Sequence, residues 1–445
     1  MSATTNGFNV IGKAVQRSDA LGHVTGRTQF FEDINPTGML HLRMHRSERH
    51  HASIVSVDTS AAEQVKGVVK VLTHADVPNN WYTVLTLINV GYPDEPVLAE
   101  GKVMYKGEPI VAVVATSERA AREGAAAVKV VYEDLPYVLD VEEAIKPETP
   151  VIKPHGHNHF IYEGYKCRRV RFGDVEAGFA EADHIFEWDY QSRPIEQAPT
   201  ETTGCIVEPQ ASGRLKIYSD TQACFFTLDN TALILGAPFG KLQVVGGTVG
   251  GGFGGKVDVI VEPIACVAAM ATGKPVKFVY DRYEEMQVSS PRAAERIYIK
   301  DGVMNDGRIV ARQVTIYADA GAYSRHSPYA TTKCAAHMPG PYTIPNVWVD
   351  SWCVYTNRTP SSAMRGFGVT IGDFALENQM DRIARALNLD PLELRLKNAY
   401  RDGDMKAHRK VAEGTALIEV IQKAAELVEH PLGEEYLAMS SQEAR

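Results

Sequence analysis

Cysteine is scarce and scattered in this chain. Cys167, Cys205, Cys224, Cys266, Cys334 and Cys353 stand singly, with no C-x-x-C pair. That spacing excludes a readable zinc ribbon or iron–sulfur motif and suits buried apolar residues in a reducing cytoplasm. Positive charge is also in deficit, since 46 Lys and Arg face 55 Asp and Glu for a net charge of −9. Neither nucleic acid nor an anionic membrane is the expected partner. No apolar run reaches membrane-spanning length, and the opening Met1-Ser-Ala-Thr-Thr-Asn-Gly has no apolar core of a signal peptide. What remains is ordinary for a globular protein: 445 residues, 44% hydrophobic and 23% charged.

Glycine is not scarce, and its placement is informative. In Val249-Gly-Gly-Gly-Phe-Gly-Gly-Lys256, five glycines surround one aromatic between an apolar segment (Leu242, Val244, Val245) and a helical pattern (Val257, Ile260, Val261, Ile264, Val267, Ala268). Glycine lets backbone approach a ligand, and free N–H groups at a helix start bind anions. The letters fit three cofactor readings. Gly250-x-Gly252-x-x-Gly255 satisfies a dinucleotide fingerprint, though no acid stands at the usual ribose distance and Asp281 is the nearest candidate. A triphosphatase phosphate loop fails at Val257, where a Ser or Thr must hold Mg²⁺. The third is a pterin or another phosphate-bearing cofactor. A loop that merely permits tight strand–helix packing is the plain alternative.

The first part reads as alternating strands and helices: strands at 54–58, 68–72, 108–115 and 128–133, helices at 60–66 (capped by Ser60) and 117–128. The Pro-rich stretch 147–156 marks a boundary, giving domains 1–148 and 149–445. Beyond it come helices at 174–182 and 225–235, strands at 184–191, 215–218 and 349–355, and a hairpin of 297–300 and 309–317 around Asn305-Asp306-Gly307. Asp390-Pro391-Leu392-Glu393 reads as a helix start. The fold class is α+β. A second glycine constellation, Ser361-Ser-Ala-Met-Arg-Gly-Phe-Gly368, offers a guanidinium fork at Arg365 for a carboxylate, phosphate or developing oxyanion.

Thr221-Gln222, Gly251-Gly252-Phe253-Gly254-Gly255-Lys256 and Arg365-Gly366-Phe367-Gly368 occur in the order and spacing of the molybdenum hydroxylases, the xanthine dehydrogenase and aldehyde oxidoreductase family, which the chain resembles. Arg17–Gly26, Tyr105–Val114, Gly173-Asp-Val-Glu176 and Glu201 resemble further landmarks, so the likeness runs from about residue 10 to 430. It implies an a/b hammerhead domain followed by the first molybdopterin-binding domain. It implies that Gln222, Gly251, Gly252, Phe253, Gly254 and Arg365 meet a molybdenum–molybdopterin cofactor, in cytosine dinucleotide form, whose pterin dithiolene rather than a side chain holds the metal. Gln222 would donate to the cofactor's apical oxygen, with Phe253 beside the metal and Phe367 sandwiching a planar substrate. Gln222, Phe253 and Arg365 are the expected catalytic set.

The family's second half, with further pterin loops and a base glutamate, is expected on another chain, as in the nicotinate dehydrogenase type. Iron–sulfur and FAD subunits complete the expected cytoplasmic complex. The implied reaction is hydroxylation of an N-heteroaromatic carbon with water as oxygen source, with electrons leaving through the pterin. Val257 replaces an acid that reads purines in xanthine enzymes, while Lys333 stands where those often carry arginine. Lys333 with Arg365 suits a carboxylate-bearing ring such as nicotinate. Aldehyde or purine oxidation, a Rossmann-type nicotinamide or flavin dehydrogenase, and a non-catalytic assembly subunit are the alternatives. Met364-Arg365-Gly366 departs from the cysteine-containing loop of carbon monoxide dehydrogenases.

Overall fold

The computed structural model describes residues 9–85 and 88–442. The first seven residues, read above for a signal peptide, lie outside the described residues. Two sheets organise the chain. The larger has seven strands in the order Leu242–Gly246, Leu215–Ser219, Gly204–Pro209, Val276–Val279, Leu40–Arg46, Pro109–Ala115, Val68–Leu72. Three of these come from before residue 149 and four from after it, joined where Leu40–Arg46 runs parallel to Val276–Val279. The Pro-rich stretch is mostly exposed and is anchored at Ile152 and Lys153, which are buried, with the Ile152 N–H donating to Asn158 Oδ1 at 2.8 Å just beyond it. A three-stranded sheet of Lys102–Val103, Ala52–Asp58 and Lys129–Asp134 flanks the first part.

The second large sheet runs His184–Gln191, Glu295–Val303, Ile309–Gly321, Val347–Tyr355, Arg168–Phe172. Alternation explains it: Ile297, Ile299, Val314, Ile316, Val347 and Val349 bury on one face. Helices Ser327–His337 and Val369–Ala386 cover that face with Cys334, Met338, Leu376, Met380 and Ile383. Each such side chain contributes about 1.5–3 kcal/mol by leaving water. These two helices are the platform on which the second glycine constellation rests.

Several local expectations are corrected. Ser60 does not cap its helix. The helix spans Ser60–Glu63 with Thr59 at the N-cap, and Asp58 accepts from the Ser60 N–H instead. The helix start at Asp390 does form, with Asp390 accepting from the Leu392 and Glu393 N–H groups, while Glu393 accepts from the Gly433 N–H at 2.8 Å. Most consequential, the helix after the first glycine loop begins at Glu262, not near Val257. No helix of the described residues is long and apolar enough to cross a membrane.

Candidate functional site

The parallel strands Leu215–Ser219 and Leu242–Gly246 end side by side and deliver Gln222 and the first glycine loop to one place. The Gln222 N–H donates to the Lys256 carbonyl at 2.8 Å, and its Oε1 accepts from the Gly254 N–H at 2.9 Å. A Cβ on Gly252 would sit 2.5 Å from Gln222 Oε1, so any side chain here displaces Gln222 or the loop. Gly254, at φ +99°, is barred twice, by conformation and by the Ala363 carbonyl 2.8 Å from any added Cβ.

Lys256 does not face a ligand. It is buried beneath the loop, with Nζ donating to the Glu201 carbonyl at 2.7 Å and paired with Asp220 at 2.5 Å. Glu201 Oε2 in turn accepts from the Gly250 N–H at 2.6 Å. Burial pushes the Asp220 carboxyl up to about 8, against the pull of the Lys256 charge. The phosphate-loop reading therefore fails on geometry as well as on Val257, because the lysine clamps its own loop. The dinucleotide reading fails because five residues separate Lys256 from the helix, so the loop does not open onto a helix N-terminus.

The second constellation folds against the first. The Arg365 N–H donates to the Phe253 carbonyl at 2.8 Å. Phe253 and Phe367 both take the left-handed conformation, at φ 50° and 47°, unusual for aromatics and marking an over-determined site. Phe253 is 49% exposed, and Arg365 is exposed with no ion-pair partner among the described residues. Arg292 holds the Arg365 carbonyl and Thr370 from behind, and also lines a cleft of about 400 Å³ together with Ser361. Gly368 is the N-cap of Val369–Ala386, so the second loop is the one that presents a helix N-terminus, with no acid in its first turn. Tyr329 packs edge-on against Phe367 at 5.4 Å, and Lys333 Nζ lies 5.5 Å over the Tyr329 ring. Lys333 thus joins the Phe367 cluster through a tyrosine the sequence did not single out. Val257 closes the first loop, half-buried, donating to the Gly254 carbonyl.

Asp258 is the residue that sequence reasoning missed. It is buried and accepts hydrogen bonds from Ser290 Oγ and, at 2.9 Å, from Ser362 Oγ, and it lies 2.6 Å from His326 Nδ1. Burial opposes its charge, but the His326 hydrogen bond and the charges of His326 and Arg325 outweigh it and hold the carboxyl below its ordinary range. Ser362 precedes Arg365, and His326 is the N-cap of the helix that carries Lys333. One carboxylate therefore pins both glycine loops and the Lys333 helix together. Gln197 adds a second tie, its Nε2 donating to the Ser290 and Ala363 carbonyls at 2.8 Å each. The available signal was an acid inside the apolar run Val257–Val261.

The donor set fits an oxygen-rich, phosphate-bearing cofactor. Among the described residues no hydrogen bond engages the N–H groups of Gly251, Gly252 and Phe253 or the Nε2 of Gln222. Three successive backbone N–H groups, one side-chain NH₂ and one guanidinium are donors only. The nearby acids Glu201, Asp220 and Asp258 are turned into the protein, where they are paired.

Comparisons with known proteins give the family. Residues 154–399 match the family described as the molybdopterin cofactor-binding domain. Residues 25–136 match the aldehyde oxidase and xanthine dehydrogenase a/b hammerhead domain. The nicotinate dehydrogenase large molybdopterin subunit of Eubacterium barkeri is 34% identical over 436 residues, 96% of this chain and 98% of that one. The nicotine 6-hydroxylase large subunit of Paenarthrobacter nicotinovorans is 33% identical over 95% of this chain but only 52% of its own length. The aldehyde oxidoreductase of Desulfovibrio gigas superposes with a TM-score of 0.88 at 32% identity, covering 93% of this chain and 46% of that one. The chain thus spans nearly all of the first relative and about half of the other two. It belongs to the xanthine dehydrogenase and aldehyde oxidoreductase family of molybdenum oxidoreductases, as a molybdopterin-binding chain with a hammerhead domain.

Proposed function

We propose that this chain is the large molybdopterin-binding subunit of a cytoplasmic complex that hydroxylates a nicotinate-like N-heteroaromatic substrate with water as oxygen source. The observation that carries the reading is the convergence of Gln222, Phe253 and Arg365 from three distant segments, with Lys333 and Phe367 alongside. The bound cofactor, in its cytosine dinucleotide form, supplies the two-electron oxidation of the substrate carbon. Gln222 Nε2 and the Gly251, Gly252 and Phe253 amides donate to the cofactor's oxygens. Phe253 flanks the reacting centre and Phe367 orients the ring by stacking. Arg365 and Lys333 attract the substrate carboxylate, and Val257 leaves an apolar wall where an acid would read a purine.

A second molybdopterin-binding subunit supplies the base glutamate and the rest of the cofactor cradle, and [2Fe-2S] and FAD subunits take the electrons. In this arrangement residues 1–148 form the hammerhead-like domain and 149–445 the cofactor domain. The similarity to a nicotinate dehydrogenase subunit supports the substrate class. The test is kinetics of the purified complex on nicotinate and on neutral nicotinamide. Arg365→Met and Lys333→Met should each raise KM for nicotinate at least about tenfold and change nicotinamide much less, since a charge-assisted hydrogen bond is worth roughly 1.5–3 kcal/mol. Equal losses on both substrates would show that these cations do not read a carboxylate.

A further inference from the structure

A short hairpin of strands Trp81–Tyr82 and Glu95–Pro96 belongs to the first part of the chain, yet it grips the second part at three points. Tyr82 Oη donates to the Val259 carbonyl at 2.9 Å, one residue after Asp258. Asp94 accepts from the Ser324 N–H at 2.8 Å and from Ser324 Oγ at 3.0 Å, with Lys153 Nζ at 3.4 Å. Glu95 takes the Arg325 guanidinium in a fork, with Nη2 2.8 Å from Oε1 and Nε 3.1 Å from Oε2. Asp94, Glu95, Ser324 and Arg325 are all buried.

Arg325 stands at φ 38°, a left-handed conformation that costs a non-glycine residue and persists only where its surroundings impose it. The two acids do so from both sides of the Ser324–Arg325 peptide. The remaining nitrogen, Nη1, donates to Ser290 Oγ at 2.6 Å, and Ser290 donates on to Asp258. His326 follows as the N-cap of the helix Ser327–His337. Its Nδ1 lies 2.6 Å from Asp258, and its ring packs edge-on against Phe226 at 5.3 Å and Phe367 at 6.5 Å. Tyr329, in the first turn of that helix, meets Phe367 edge-on as well. The place where this helix begins therefore sets both rings that flank Phe367.

We propose that Asp94 and Glu95 are positioning residues of the site: by fixing Ser324 and Arg325 they set the start of the helix and, through His326 and Tyr329, the orientation of the Phe367 ring. The inference rests on the reading of Phe367 as the ring that stacks on a planar substrate. A bidentate arginine–carboxylate pair fixes direction as well as distance, so its loss lets the helix start drift. Small misplacements far from the reacting atoms weaken substrate alignment. Stacking does not read a carboxylate, so charged and neutral rings lose alike, unlike the outcome for Arg365 and Lys333.

The experiment uses the whole complex and compares Glu95→Gln with Glu284→Gln, which removes a carboxylate that also joins the two parts, through Arg43 at 2.6 Å and Arg46 at 3.2 Å. In Glu95→Gln, amide hydrogen exchange over residues 326–333 should be at least about tenfold faster. KM should rise about fivefold for nicotinate and nicotinamide alike, with kcat within about twofold of wild type. Glu284→Gln should match wild type in both readouts. If Glu95→Gln does not assemble, Glu95→Gln with Arg325→Met removes both charges of the pair and should show the same exchange and KM changes. Unchanged exchange over 326–333 overturns the grip, and faster exchange with unchanged KM overturns its reach to Phe367. A KM change confined to nicotinate, or the same changes in Glu284→Gln, overturns it too. If wild type turns over neither pyridine, the substrate reading fails by itself, and the exchange result still decides the grip.

Discussion

Gly252→Ala tests the joint between Gln222 and the first loop without a conformational penalty, because Gly252 does not need a positive φ. The added Cβ would lie 2.5 Å from Gln222 Oε1 and 2.6 Å from Cδ, far inside contact distance. Either the loop lifts or Gln222 swings away. In both cases the Gly254 N–H loses its acceptor, now at 2.9 Å, for about 1 kcal/mol. Overpacking adds about 1–3 kcal/mol. If Gln222 leaves, its donation to the cofactor is lost as well, worth about 1.5–3 kcal/mol for a charge-assisted bond.

Molybdenum and pterin per chain in the purified complex should fall well below wild type, with kcat lower in the loaded fraction. The second arm is the double variant Gln222→Ala with Gly252→Ala. Removing the side chain that clashes should restore thermal stability to the level of Gln222→Ala alone, while activity stays low. A positive coupling of about 1–3 kcal/mol in stability is expected for residues in such contact. Full cofactor content and wild-type kcat in Gly252→Ala, or strictly additive stabilities in the cycle, would refute this account of the loop.

Two other outcomes follow from buried carboxylates. Asp258→Asn weakens the hydrogen bonds from Ser290, Ser362 and His326 that meet on one carboxylate, so thermal unfolding should show a loss of about 1–3 kcal/mol with cofactor content reduced too; an unperturbed variant would mean that Asp258 does not pin the three segments. Burial pushes the Glu295 carboxyl up to about 7, so folding takes up a proton between about 4.5 and 7 and stability falls as pH rises through that window. Glu295→Gln removes that slope: denaturant titration should find the variant near wild type at pH 4.5 and more stable by up to about 3 kcal/mol at pH 8, whereas parallel curves would contradict it.

Local patterning made much of the second half legible. Strand His184–Gln191, helix Cys224–Leu235 with its stop at Gly236, and the hairpin around Asn305-Asp306-Gly307 carry period, cap and turn signals within ten or so residues. The helix placed at Val257 was not legible as it formed. The apolar period is present, but Asp258 turns inward to bind Ser290, Ser362 and His326, and that demand outweighs helix propensity over residues 257–261. The meeting of Gln222, Phe253 and Arg365 could not come from periodicity, since 143 residues separate the first from the last; only ordered motifs pointed to it. The two family matches, residues 25–136 and 154–399, leave most of the Pro-rich stretch 147–156 between them. Tyr329 carries no motif at all and shows its place only once the helix Ser327–His337 packs beside Phe367.

The central claim is that the two Gly-Phe-Gly loops hold a molybdenum cofactor. Its most direct test is metal and pterin analysis of the complex purified through a tag on this chain. About one molybdenum and one molybdopterin cytosine dinucleotide per chain, both sharply reduced by Gly252→Ala, is the predicted result. A complex without molybdenum that instead carries a nicotinamide or flavin nucleotide on this chain would contradict the account.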